Sequence, residues 1–98
     1  VKAYRTLGNT YLQDGQWDQA LNAAEKARDL AETLGSKEDL GAAYRLMGEI
    51  AAANPERALG SVDRYFERGL AMLQEVGEEY ELGRLKTSLE TYRSTQQG

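Results

Sequence analysis

Arg5, Asn9 and Leu12 stand four and three residues apart, and Arg45, Glu49 and Ala52 repeat that spacing 40 residues on, so each trio shares one face of a helix. A guanidinium offers a planar fork of donors to a carboxylate, and an asparagine amide can hydrogen-bond a peptide backbone. The chemistry open to such faces is recognition of an extended chain carrying acidic groups. Bond-breaking chemistry has little to draw on. The 98 residues include no Cys and no His, which removes thiolate nucleophiles, sulfur-ligated metals, disulfides and the commonest general base together. The paired carboxylates Glu38-Asp39 and Glu78-Glu79 would point apart on a helix. The cluster Glu75, Glu78, Glu79 and Glu81 straddles an expected helix end and lacks the alternating oxygen ligands of a calcium loop. Gly8 and Gly48 lie inside helical patterns, where close approach of a partner helix accounts for them without a phosphate loop. We therefore expect no enzyme, no metal and no cofactor.

Sixteen acidic against twelve basic residues leave a formal charge of -4, which argues against nucleic acid and anionic lipid as partners, since both are bound through clustered Lys and Arg. No apolar run approaches the roughly 20 residues that span a bilayer. The chain is expected to be soluble and cytoplasmic. It opens on Val1 with a helical pattern already running by Lys2, as a piece of a longer polypeptide would. Its length fits one domain.

The elements that must position these residues are helices throughout. Ala3, Tyr4, Leu7 and Tyr11 trace one apolar face over 2–13, and Asp14-Gly15 supplies a turn. A second helix over 17–34 carries Trp17, Ala20, Leu21, Ala24, Ala27, Leu30 and Ala31, small residues that let helix axes approach closely, and Gly35 ends it. Ser36 can cap a third helix over 37–53, with Asp39 three residues on completing a weak capping box. Asn54-Pro55 marks the next boundary, Asn as N-cap and Pro as first helical residue, and predicts a fourth helix over 55–76. Tyr80, Leu82, Leu85, Leu89 and Tyr92 predict a fifth over 78–94, with a frayed polar tail beyond. Trp17 and the six tyrosines fall on these apolar stripes and are expected to pack in or beside the core rather than form a ligand site. The fold class is all-α.

Tyr4, Leu7, Gly8, Tyr11, Ala20, Ala24 and Ala27 resemble the tetratricopeptide repeat, a two-helix unit with a Leu-Gly step in its first helix and small residues in its second. Tyr44, Met47 and Gly48 echo the first three of these positions, at a period of about 40 in place of the family's 34. The family's proline at the end of the second helix is absent, Glu32 standing there. In the second unit two registers are open for the fourth helix, one on Ala58 and one on Val62, Phe66 and Gly69, of which we prefer the second. The resemblance implies a right-handed α-solenoid of about two and a half hairpin repeats: repeat one over 1–36, repeat two over 37–77 and a capping helix over 78–98. That last helix would turn Glu81, Lys86, Glu90 and Arg93 to water.

The resemblance further implies a concave face lined by the first helix of each unit. Its positions map here to Lys2, Arg5, Asn9, Leu12 and Gln13, then to Ala42, Arg45, Glu49, Ala52 and Ala53, with Arg84 and Thr87 continuing the row. Members of the family that grip a terminal carboxylate use Lys-x3-Asn, Asn and Lys-x3-Arg in successive units. Here Arg5-x3-Asn9, Leu46 and Arg84-x3-Ser88 occupy those places, so two of the five positions fail outright and two others have Arg for Lys. The implied function is a protein- or peptide-binding scaffold or regulatory module within a larger signalling protein. Two alternatives stay open: self-association through exposed solenoid ends, with Leu82, Leu85, Leu89 and Tyr92 at one end and Val1 and Tyr4 at the other, and a small-molecule sensor segment of a transcription regulator.

Overall fold

A computed structural model describes residues 2–54 and 61–97, with side chains described for 3–54 and 62–94. Five helices follow one another among the described residues: α1 (Lys2–Gln13), α2 (Trp17–Leu34), α3 (Lys37–Ala53), α4 (Ser61–Val76) and α5 (Glu79–Gln97). The expected start of the fourth helix at Pro55, and the Ala58 register, lie outside the described residues. The fifth helix begins one residue later than expected, and its backbone stays helical through Gln97 instead of fraying from Ser94.

One turn design is used three times. The amide of Gly35 donates to Glu32 O and that of Ser36 to Ala31 O, so two otherwise orphaned carbonyls of α2 are satisfied as the chain leaves the helix. Gly15 with Gln16, and Gly77 with Glu78, make the same pair of bonds at the ends of α1 and α4. All three glycines take positive φ, 75°, 69° and 69°, where a Cβ would be strained. Each turn is therefore short and reverses the chain onto its predecessor. Ser36 then starts α3: its hydroxyl accepts from Asp39 N and donates to Asp39 Oδ2 at 2.9 Å.

Stacking proceeds by nearest neighbours. α1 lies against α2 and α3, α2 against α3, α3 against α4 and α5, and α4 against α5. Among the described residues α1 and α5 flank α3 with their backbones apart, side chains alone meeting across the gap. The result is a helical-repeat solenoid whose middle helix is the most enclosed. Ala42, Ala43, Leu46, Met47 and Ile50 of α3 are buried, with Ala20, Ala24, Ala27 and Ala31 of α2 on one side and Val62, Phe66 and Leu73 of α4 on the other. The core is built on close helix contact. A Cβ on Gly69 would come 2.7 Å from Leu85 and 3.1 Å from the Gly41 carbonyl, so the α3–α4 crossing has no room for one. Trp17 ties the end of α3 to the first hairpin by donating its indole N–H to Ile50 O at 2.8 Å, a carbonyl in the last turn of α3.

Equivalent residues of the two units differ in burial, and the cause is what precedes each. Tyr44 and Met47 are 6 % and 1 % exposed because α2 and α4 enclose α3. Tyr4 and Leu7, at the same places on α1, are 38 % and 41 % exposed and lie at the edge of the core. Tyr80 is exposed as well. At the other end Leu85 and Leu89, expected on an exposed apolar patch, turn inward onto α4 and are buried, while Leu82 and Tyr92 are half-buried beside them.

Candidate functional site

Helix spacing carries the site residues to a common place. Arg5 and Asn9 project from α1 and Arg45 rises from α3. With Thr6 of α1 and Tyr80, Glu81 and Arg84 of α5 they line a recess of about 390 Å³. Its floor is α3 and its walls are α1 and α5. Of the residues expected on the concave face, Arg5, Asn9, Arg45 and Arg84 are thus brought together. Leu12 lies apart, in a recess with Trp17, Ala53 and Asn54, and Gln13 is exposed at the end of α1. The side chain of Lys2 lies outside those described.

Charge in the trough is arranged in a ladder. Arg5 in the first leading helix reaches Asp39 in the first turn of the second, Nη2 to Oδ1 at 3.4 Å. Arg45 in the second reaches Glu81 in the first turn of the third, Nε to Oε2 at 3.0 Å. Each unit therefore extends an arginine to an acid on the unit that follows it. Arg45 also donates from Nη1 to Glu49 Oε2 at 2.7 Å, and Ser88 of α5 donates its hydroxyl to the same oxygen at 2.7 Å. Arg45 is only 2 % exposed, so its charge has left water and is held by two carboxylates. Glu81, expected to face water, is instead 12 % exposed, because the approach of α5 to α3 turns its first turn inward toward Arg45.

The two arginines are unequally satisfied. Arg45 has two close carboxylates. Arg5 has a long bond to Asp39, a 3.8 Å contact from Nη1 to Glu81 Oε1, and a buried Nε without a hydrogen-bond partner. Arg84 makes no ion pair among the described residues, and its guanidinium lies 5.9 Å from the centre of the Tyr80 ring. Donor capacity facing the trough accordingly rests with Arg5 and Arg84. Elsewhere, on α2, burial lowers the pKa of Arg28, but the hydrogen bond and charge of Asp29, together with the nearby Glu25 and Tyr44, outweigh it and hold the group above its ordinary value. Lys37 of α3 pairs with Glu75 of α4 on the exposed side.

Asp39, Glu81 and Ser88 are the members of this arrangement that reading helix faces one at a time does not reveal. A signal was present: an acid follows Arg5 by 34 residues and Arg45 by 36, close to one repeat in each case. The family model described as the tetratricopeptide repeat matches residues 1–34, so the first hairpin is similar to that repeat. No curated protein and no solved structure matches the chain. Tetratricopeptide repeats point to protein–protein interaction, and the family is generally a non-enzymatic scaffold. No described helix is long and apolar enough to cross a membrane.

Proposed function

We propose that the chain is a protein- or peptide-binding module whose trough between α1 and α5 receives an extended segment with acidic groups, inside a larger cytoplasmic signalling or regulatory protein. Arg5, Asn9 and Arg84 make the contacts, and Arg45 and Glu49 hold the floor. The observation that carries the reading is the under-satisfied guanidinium of Arg5, with a buried Nε lacking any acceptor among the described residues, in one recess with Arg84, which makes no ion pair among them. A carboxylate supplied from outside would pair with Arg84 and with the Nη donors of Arg5. With a labelled, acetylated hexapeptide of alternating Glu and Gly, Arg5→Ala is expected to weaken binding about tenfold, the equivalent of roughly 1.4 kcal/mol. Asn9→Ala should weaken it by less, and helicity by circular dichroism should stay unchanged in both. Unaltered affinity in the two variants would discard the assignment.

A second reading, self-association, is favoured by the exposure of Tyr4 and Leu7, which with Tyr11, Ala23 and Lys26 border a recess of about 210 Å³. If copies pair there, sedimentation should show a concentration-dependent dimer that Leu7→Glu abolishes. A monomer at every concentration removes this reading and leaves the trough.

A further inference from the structure

We propose that Glu81 is a built-in competitor of the acidic partner, a carboxylate of the chain itself that stands at the arginines of the trough and limits how tightly that partner binds. The inference rests on the acidic-partner reading above and adds its regulation. Glu81 offers the same chemistry as the partner's acidic group, delivered from the α5 wall: Oε2 bonds Arg45 Nε, and Oε1 faces Arg5 Nη1 at 3.8 Å. Its hold on the two arginines is unequal. The bond to Arg45 anchors it at 3.0 Å, whereas the contact with Arg5 is too long for a hydrogen bond. A partner carboxylate can therefore take the donors of Arg5 without dislodging Glu81 from Arg45.

Glu81 opposes that exchange in two ways. Its charge already offsets part of the field of Arg5, and a second carboxylate on Arg5 must sit beside it in a recess where like charges are poorly screened. Arg84, three residues later on α5, lines the same recess with the opposite sign. One helix thus presents both the attracting and the repelling group. The trough is tuned to an acidic group placed toward Arg84 and Arg5 with a neutral or hydrogen-bond-donating neighbour toward Glu81.

The test compares Glu81→Gln with Glu79→Gln, which removes the same charge from an exposed place in the first turn of α5 outside the trough. Glutamine keeps an oxygen for Arg45, so α5 should stay docked, which circular dichroism and thermal melting check. Toward the Glu-Gly hexapeptide, Glu81→Gln is expected to bind at least about fivefold tighter than the unaltered protein and Glu79→Gln less than about twofold. A Gln-Gly peptide should gain from neither. In the unaltered protein, saturation with the acidic peptide should move the Glu81 side-chain carboxyl carbon resonance and leave that of Glu79 in place, a readout independent of whether the variant folds. Equal affinity of Glu81→Gln and the unaltered protein, or an equal gain from Glu79→Gln, overturns the competitor and spares the trough. If the acidic peptide binds neither protein and the Glu81 resonance stays still, the trough reading itself falls and the competitor with it.

Discussion

Arg45→Ala is expected to lose about 3 kcal/mol of folding stability, a large share of the roughly 5–15 kcal/mol typical of a domain. The loss arises from what remains. Glu49 and Glu81 would be left in a site shaped around a guanidinium that is 2 % exposed, Glu49 without its counter-charge and Glu81 with only the 3.8 Å contact to Arg5. Both carboxylates keep an edge on solvent, at 24 % and 12 % exposure, which places the effect at the low end for a broken buried pair. Urea unfolding of the variant should show a lower midpoint with an unchanged slope. A cycle with Glu81→Gln should return a favourable coupling of about 1–3 kcal/mol, since the two groups touch. A loss under about 1 kcal/mol would mean that the ladder contributes register and not stability.

The largest apolar effect is expected at Phe66. The ring is fully buried, and three of its carbons lie where a Cβ on Gly48 would come within 2.7–2.9 Å. Phe66→Ala should cost about 3–5 kcal/mol by lost burial and by the cavity left between α3 and α4. Its converse is informative. Gly48→Ala adds a methyl against a ring that has no free direction to move, and overpacking of that kind costs about 1–3 kcal/mol, offset by up to about 1 kcal/mol of helix propensity. Combining Gly48→Ala with Phe66→Leu should therefore cost less than the two changes summed, because the smaller side chain frees the space the methyl needs. Strict additivity in chemical denaturation would show that the crossing is looser than these distances imply.

Periodicity, punctuation and motif account for how much was legible beforehand. Gly15, Gly35 and Gly77 end three helices through one turn geometry, and their positions stand out in the chain because only glycine accepts that backbone without strain. The faces carrying Arg5 with Asn9 and Arg45 with Glu49 were equally visible, since residues three and four apart on a helix are neighbours. Burial was legible only where both flanking helices are present. Tyr4 and Tyr44 carry the same signal, yet one is exposed and the other enclosed, because among the described residues α3 has a helix on each side and α1 on one. Glu81 lies furthest from where its sequence position alone would put it. An acid near the end of an array is expected in water, and nothing local to α5 shows that an arginine 36 residues earlier needs it.

The order of residues alone thus determined the all-helical class, the helix ends at the three glycines and which side chains share a face, for these follow from interactions spanning four or five residues. The pairing of Arg45 with Glu81 and Glu49, the short supply of partners at Arg5 and the burial of Leu85 and Leu89 depended on how α1, α3 and α5 come to rest against one another. Those outcomes belong to contacts between segments far apart in the chain, where distances of a few ångströms decide whether a charge is solvated, paired or left open to a partner.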